Sequence, residues 1–431
     1  MADTIHALAT APGKAGIAVI RVSGDAADRI CRTLCGALPR PRVATLRDLR
    51  DADGALIDTG LVLRFGAGAS FTGEPVIEFQ VHGGPAIVRA VLAAIYATGL
   101  SRPAEAGAFT RRALNAGRMD LTQVHGLADA LEAETELQRI AAMRRLSGAT
   151  GNRFRAWRRT LVEVAARLEA TIDFADEDLP DDILAGLADR LDAVADDLSS
   201  QIEGYAAARA LRTGFEIAVI GPPNVGKSSL INMLSGRDTS IVSDVPGTTR
   251  DVVEARIDIA GIPVTFLDTA GLRDATDPVE TLGIDRARTR ARDADLRLHL
   301  SDEDNWQTRD LATPSDLFLR TKSDTASRVV SDAIPVSTRL PDGVDALLAA
   351  LEATLSSKVH GLSEISRAYE LESFRKGEHA LRVAIACISN ADVEIVLDEV
   401  YVGIRKLDQV VGTVDVENLL DEIFSSFCIG K

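Results

Sequence analysis

The chain has 431 residues, with 46% hydrophobic and 26% charged residues, enough for two to four globular domains with sizeable cores. Its net charge of −16 argues against a surface coated for nucleic-acid binding, although a local basic patch stays open. No apolar run approaches the roughly 20 residues of a membrane span, and Met1-Ala-Asp-Thr-Ile-His lacks a basic, apolar leader, so a cytoplasmic protein without membrane attachment is expected. The four cysteines, Cys31, Cys35, Cys387 and Cys428, show no zinc spacing and read as free thiols.

Residues 1–118 read as α+β. Ile17 to Val22 forms a strand, followed by a helix through Ile30 and Leu34. Leu61 to Phe65 and Pro75 to Val81 are further strands, and Ile87 to Tyr96 is helical. Arg21 and Glu78 fall on strands near glycine turns, where a buried charge needs a partner or a ligand. They read either as a structural ion pair or as part of a polar ligand pocket. His82, ahead of two glycines, reads as a turn residue rather than a catalytic one.

From Asp120 the pattern becomes helical. Leu121, Val124, Leu127, Ala128 and Leu131 make one apolar stripe. Trp157, Leu161, Val164, Leu168 and Ile172 make a second, and Leu184 through Ile202 a third. Arg139, Arg144, Arg145, Arg153, Arg155, Arg158 and Arg159 form a basic run, either a solvated helix face or an RNA phosphate contact. The acidic cluster from Asp173 to Asp182 reads as a solvated loop.

The most informative stretch is Gly221-Pro-Pro-Asn-Val-Gly-Lys-Ser-Ser229, which fits G-x-x-x-x-G-K-[ST]. An apolar strand, Phe215 to Ile220, precedes it, and Leu230, Ile231 and Leu234 follow at helical spacing. Such a loop aims successive backbone N–H groups and a helix N-terminus at phosphates. Lys227 neutralises phosphate charge, and the Ser228 hydroxyl is placed for Mg²⁺. Asn224, Val225, Gly226 and Ser229 complete the loop. Asp268-Thr269-Ala270-Gly271 then ends a strand; Asp268 would hold Mg²⁺ through water and the Gly271 N–H would meet the γ-phosphate. Thr321-Lys322-Ser323-Asp324 ends another strand, and Asp324 can accept from guanine N1–H and its exocyclic amine. Val336-Ser337-Thr338 would close over the base. These motifs, in this order, resemble a Ras-like GTPase domain over residues 211–357. Leu272 stands where Ras-type enzymes carry the water-positioning Gln. Helical signal returns from Val393 to Leu407, so the simplest architecture inserts the GTPase into a helical bundle of residues 119–210 and 358–431.

The resemblance extends over the whole chain. Ala9 to Gly24, Ser70-Phe-Thr-Gly-Glu74, Glu78 to Gly84, Phe109 to Leu121 and the terminal Phe427-Cys-Ile-Gly-Lys431 are similar to the MnmE (TrmE) family of tRNA uridine-5-carboxymethylaminomethyl modification GTPases. The resemblance implies a multidomain α/β protein: a folate-binding-like α+β N-terminal domain, a helical bundle and an inserted Ras-like GTPase. It implies a homodimer that binds tRNA, GTP, Mg²⁺, K⁺ and 5-formyltetrahydrofolate or a related folate. Together with an FAD- and NADH-using subunit of the MnmG/GidA type, such a protein adds an aminomethyl or carboxymethylaminomethyl group to C5 of the wobble uridine, U34.

By motif match, folate contacts fall on Arg21, Glu78, Arg118 and Lys431. Cys428 reads either as a catalytic or ligand-contacting thiol or as a small residue docking the tail. Switch I is Ser243-Asp244-Val245-Pro246-Gly247-Thr248-Thr249, with Thr249 the second Mg²⁺ ligand and γ-phosphate sensor. Potassium would be held by Asn224 and by Ser243, Val245 and Thr248. Glu280 matches the family's water-orienting Glu, with Lys227 and Thr249 completing the catalytic set. Arg118 stands where Lys is common, Ala106-Gly-Ala108 replaces Pro-Gly-Glu, and Thr321 replaces the usual Asn. A reading from another class is a GTP-dependent assembly factor that binds RNA without modification chemistry.

Overall fold

The structure is a computed structural model that describes all residues except 1–2, 175–182, 237–253, 269–288, 304–305, 307–308, 325–332, 360–361, 389–392, 413–419, 421–422, 425–426, 428–429 and 431. The chain divides into two compact units, residues 1–128 with 408–431, and residues 129–407. Among the described residues, no helix is long and apolar enough to cross a membrane.

The first unit is built on a six-stranded sheet of order β3-β4-β5-β2-β1-β6. Its strands are β1 (Ile5–Leu8), β2 (Ile17–Ser23), β3 (Thr45–Arg50), β4 (Leu56–Phe65), β5 (Val76–His82) and β6 (Arg102–Pro103). Three further helices are α1 (Ala27–Cys35), α2 (Pro85–Ala97) and α3 (Ala108–Asn115). Side chains alternate along a strand. In β2, therefore, Ala18, Ile20 and Val22 enter the core with Ile30, Leu34, Phe79 and Ile95, while Arg21 faces the other side of the sheet. The three strands and two helices expected from the sequence of this part are present as β2, β4, β5, α1 and α2. The apolar pattern is too short to reveal β1 and too polar to reveal β3, whose exposed face carries Leu46, Asp48 and Arg50 and whose other face carries Arg47 beside Leu49.

The remaining helices are α4 (Leu121–Glu132), α5 (Glu136–Leu146), α6 (Ala149–Asp173), α7 (Leu187–Thr213), α8 (Lys227–Ser235), α9 (Asp345–Lys358), α10 (Ala368–Ile388) and α11 (Val393–Val411). In the second unit, α7 packs against α10, although the whole second sheet lies between them in sequence. That sheet has the order β12-β11-β10-β7-β9-β8. Its strands are β7 (Phe215–Ile220), β8 (Glu254–Ile259), β9 (Ile262–Asp268), β10 (Leu296–Ser301), β11 (Leu317–Arg320) and β12 (Ile334–Pro335). Only the β8–β9 pair is antiparallel among these pairings. Ile217, Val219, Phe266, Leu298 and Leu319 fill one core of the sheet with Leu230, Leu347 and Leu351 from α8 and α9. β7 is apolar almost throughout, as expected for a parallel strand covered on both faces, whereas β10, buried throughout, alternates Leu296, Leu298 and Leu300 with Arg297, His299 and Ser301.

The helical stripes are core, with adjustments at their ends. Leu161, Val164 and Leu168 are buried, whereas Leu131 and Leu184 are exposed. Leu184 precedes α7, which begins only at Leu187. Phe154, Trp157 and Phe374 form an aromatic cluster, with Phe154 stacked on Trp157 at 5.3 Å and edge-on to Phe374 at 5.2 Å.

The basic run does not form one face. Arg145 is buried, bonded to Glu370 at 2.6 Å and paired with Asp129 at 3.5 Å. Arg144 and Arg153 pair with Glu364, and Arg153 also lies 5.0 Å over Trp157. Arg139 pairs with Glu136 one turn back. The residues come from two helices, α5 and α6, so adjacency in sequence does not make them adjacent in charge. Most of the acidic cluster lies outside the described residues.

Breaking a buried pair leaves a charge without compensation and costs about 3–5 kcal/mol. Glu370→Ala is expected to lower stability by that order. A large drop in the thermal midpoint, by circular dichroism, checks it.

Candidate functional site

The phosphate-loop geometry starts at the end of β7. A Cβ on Gly221 would lie 2.5 Å from the Leu300 carbonyl oxygen, so no side chain fits where the loop leaves the strand. Gly226 has φ +104°, the left-handed region glycine occupies without strain. Asn224 also has positive φ, +59°, which Asn tolerates better than most residues. α8 then begins at Lys227, placing its N-terminal N–H groups and dipole over the loop.

Lys227 is nearly buried, and its Nζ donates to the carbonyls of Gly221 (2.9 Å) and Pro222 (3.0 Å), so the ammonium is held inside the loop. Ser228 Oγ donates to Asp268 Oδ2 at 2.7 Å. The other carboxylate oxygen, Asp268 Oδ1, is buried without a hydrogen-bond partner among the described residues. An orphaned carboxylate oxygen beside a hydroxyl is the hard oxygen donor set Mg²⁺ takes, so these residues fit the metal.

The base-reading segment follows β11. Asn224, Val225, Gly226, Ser229, Thr321, Lys322 and Asp324 line one cavity of about 290 Å³, with Val336, Thr338 and Arg339. Phosphate loop and base loop thus open onto a common space. Ser337 Oγ donates to Asp324 Oδ1 at 2.9 Å, and this hydrogen bond holds the carboxyl below its ordinary pKa, with Arg339 adding to the effect. Asp324 is therefore ionised and acceptor-only, as guanine recognition requires. Lys322 has φ +56°, and its Nζ reaches Asp302 at 2.6 Å. Thr321 is buried, with its hydroxyl directed at the Ser301 carbonyl 3.5 Å away. Arg339, 3.4 Å from Asp324 Oδ2, had no sequence signal, since it belongs to no motif.

Ser243, Asp244, Val245, Pro246, Gly247, Thr248, Thr249, Thr269, Ala270, Gly271, Leu272 and Glu280 lie outside the described residues, as do Cys428 and Lys431.

In the first unit, Arg21 and Glu78 are direct cross-strand partners. Arg21 Nε donates to Glu78 Oε1 at 2.9 Å, so the structural ion pair exists. The pair is also part of a larger grouping. The Arg21 guanidinium lies 5.9 Å from the Phe71 ring and 5.6 Å from the Phe109 ring, and its Nη1 is 3.4 Å from the Gly430 carbonyl. Glu74, bonded to Ser23 and Arg112, anchors the turn that carries Phe71. Arg118 packs its aliphatic stem beside Gly73 in the same turn. Phe109 is itself buried with Ile5 and Ala7, so the accessible part of the grouping is a cation, a carboxylate and the Phe71 ring, which suits a flat heteroaromatic ligand with a hydrogen-bonding edge. The sequence pointed to Arg21 and Glu78 but not to Phe71 and Phe109, although both lie within its recognised stretches. His82 is not a turn residue: it ends β5, is exposed, and its backbone N–H and ring Nδ1 both meet the Asp58 carboxylate of β4 at 2.8 Å.

Comparison with known proteins agrees along the whole chain. The family profile described as GTP-binding protein TrmE N-terminus matches residues 4–118, and that of the MnmE helical domain matches residues 121–428. The tRNA modification GTPase MnmE of Roseobacter denitrificans is 46% identical over 440 residues, covering 100% of both chains. The chain belongs to the MnmE family of tRNA modification GTPases. The family protein of Jannaschia sp. is likewise 46% identical, over 435 residues and 100% of both chains. Among solved structures, the G domain of the T. maritima FeoB iron transporter aligns with 34% of this chain and 99% of its own at 21% identity, with a TM-score of 0.25.

Replacing Thr321 by the Asn usual in the family is expected to add one base or loop hydrogen bond. At about 0.5–1.5 kcal/mol per bond, Thr321→Asn should bind GTP severalfold more tightly, read by titration with a fluorescent GTP analogue. Asp324→Ala should lose guanine selectivity over adenine in the same titration.

Proposed function

We propose that this chain is a GTP hydrolase that drives tRNA modification as a homodimer, acting with an FAD- and NADH-dependent subunit at C5 of the wobble uridine. The observation that carries the reading is 46% identity to a tRNA modification GTPase over the full length of both chains. The shared cavity of the phosphate and base loops supports the GTPase half.

In this reading Lys227 and the N-terminus of α8 bind the β- and γ-phosphates, and Asp324, fixed by Ser337, selects guanine. Mg²⁺ would be held by Ser228 and Thr249, with Asp268 behind water, and would neutralise phosphate charge. Asn224, Ser243, Val245 and Thr248 would hold K⁺, placing positive charge where hydrolysis develops negative charge. Glu280 orients the attacking water, taking the part that Leu272 cannot. In the first unit, Arg21, Glu78, Arg118 and Lys431 would bind a folate as the one-carbon source, with the exposed Phe71 ring beside it. In this reading the protein works in the cytoplasm, in keeping with a tRNA substrate.

The test is GTP turnover by the full chain in potassium and in sodium, at several protein concentrations. Strong potassium-specific activation that rises with concentration is expected. Equal rates in both salts would remove the cation mechanism. Glu280→Ala should retain GTP binding and lose about 10²–10⁴-fold in turnover, the usual range for one catalytic acid–base group.

A further inference from the structure

The helices of the second unit line a cavity of about 190 Å³ that the nucleotide site does not use. Its walls come from the end of α4, from α5, from the start of α6, from the end of α7 and from residues 362–366. Leu137, Ile140, Leu211 and Leu362 supply apolar wall. Ile140 and Leu362 are still 48% and 37% exposed, so an apolar group seated against them would take further surface out of water. A cavity of about 150 Å³ accommodates benzene, so this one has room for a ring with a small substituent.

The charges around the cavity cancel. Asp129, Glu132 and Glu364 line it together with Arg144, Arg145 and Arg212. Arg144 pairs with Glu364 at 2.9 Å, and Arg145 pairs with Asp129 at 3.5 Å. An ion of either sign would enter without a counter-charge, and burying an unpaired charge is costly. The occupant is therefore uncharged.

The polar atoms, unlike the charges, are not all satisfied. Arg145 Nε, Thr150 Oγ1 and Glu364 Oε2 are buried without a hydrogen-bond partner among the described residues, and all three residues line the cavity. Thr150 is fully buried, and the side chains of Arg145 and Glu364 are each 7% exposed. Buried polar atoms are rarely left unpaired in native proteins. The set is mixed: the Arg145 N–H donates, the ion-paired Glu364 carboxylate accepts, and the Thr150 hydroxyl does either. Buried water needs two to four polar partners, which the apolar part of the wall does not offer.

We propose that this cavity binds a small uncharged molecule, a primary carboxamide on an apolar ring. Its carbonyl accepts from Arg145 Nε and Thr150, its NH₂ group donates to Glu364 Oε2, and the ring covers the leucine and isoleucine wall. Both connections of the nucleotide-binding part to the helices pass this cavity, since Arg212 lies in the last turn of α7 ahead of β7 and residues 362–366 follow α9. The site rests on none of the roles assigned to the nucleotide or folate residues.

Isothermal calorimetry of the full chain with benzamide tests the assignment. Saturable one-to-one binding is expected. Acetophenone, which has a methyl group where benzamide has NH₂, should bind at least tenfold more weakly, as should the benzoate anion and the benzylammonium cation. Ala142→Met, which fills the cavity from the buried face of α5, should weaken benzamide binding at least tenfold. Thr150→Val removes only a hydroxyl that is already unpaired, should weaken binding severalfold, and carries the test if Ala142→Met does not fold by circular dichroism. Absence of saturable benzamide binding to the wild type would overturn the site, the cavity then holding water alone, as would unchanged affinity in the folded variants. Benzoate or benzylammonium binding as tight as benzamide would overturn the uncharged class, and acetophenone binding as tight would overturn the carboxamide.

Discussion

The approach of the Gly221 backbone to the Leu300 carbonyl is the constraint on which the nucleotide site depends. Any side chain there would push the phosphate loop off the end of β7. β7 is central, flanked by β10 and β9, so a displaced loop would lose its relation to both neighbours. Asp268 ends β9, opposite Val219 of β7, and this register brings it to Ser228. Thr321 follows β11, whose Arg320 is level with Ser301 of β10. Parallel strands carry their loops at the same ends, and ligands bind there, where the order of strands reverses. One sheet thus converts three distant sequence motifs into a single concave site.

The two units treat buried charge differently. Around Arg145, carboxylates from α4 and α10 meet arginines from α5 and from the segment before α10, and most of the charge is cancelled inside the protein. Such pairs add little over well-packed apolar residues but are expensive to break, so they hold the helices to one arrangement. Around Arg21, the single pair with Glu78 lies on a sheet face between aromatic rings, with both side chains still partly accessible. A pair in that state can satisfy itself and still present hydrogen-bonding edges to a ligand. The sequence alternatives of structural pair and ligand pocket are therefore compatible.

The amino-acid sequence by itself determined the strand–loop–helix from Phe215 to Leu234, because apolar period, glycine placement and the Lys-Ser pair are local properties. It also determined the family, through stretches spread from Ala9 to Lys431. It left β1 and β3 unread, since a four-residue strand and a strand carrying Arg47, Asp48 and Arg50 offer little apolar signal. Only the tertiary structure decided that Arg21 is level with Glu78, that Phe71 and Phe109 flank it, and that Arg145 is buried while Arg139 is exposed. The physical reason is that register and burial depend on residues far apart in the chain. Arg145 and Glu370, 225 residues apart, share no local pattern that could announce their contact.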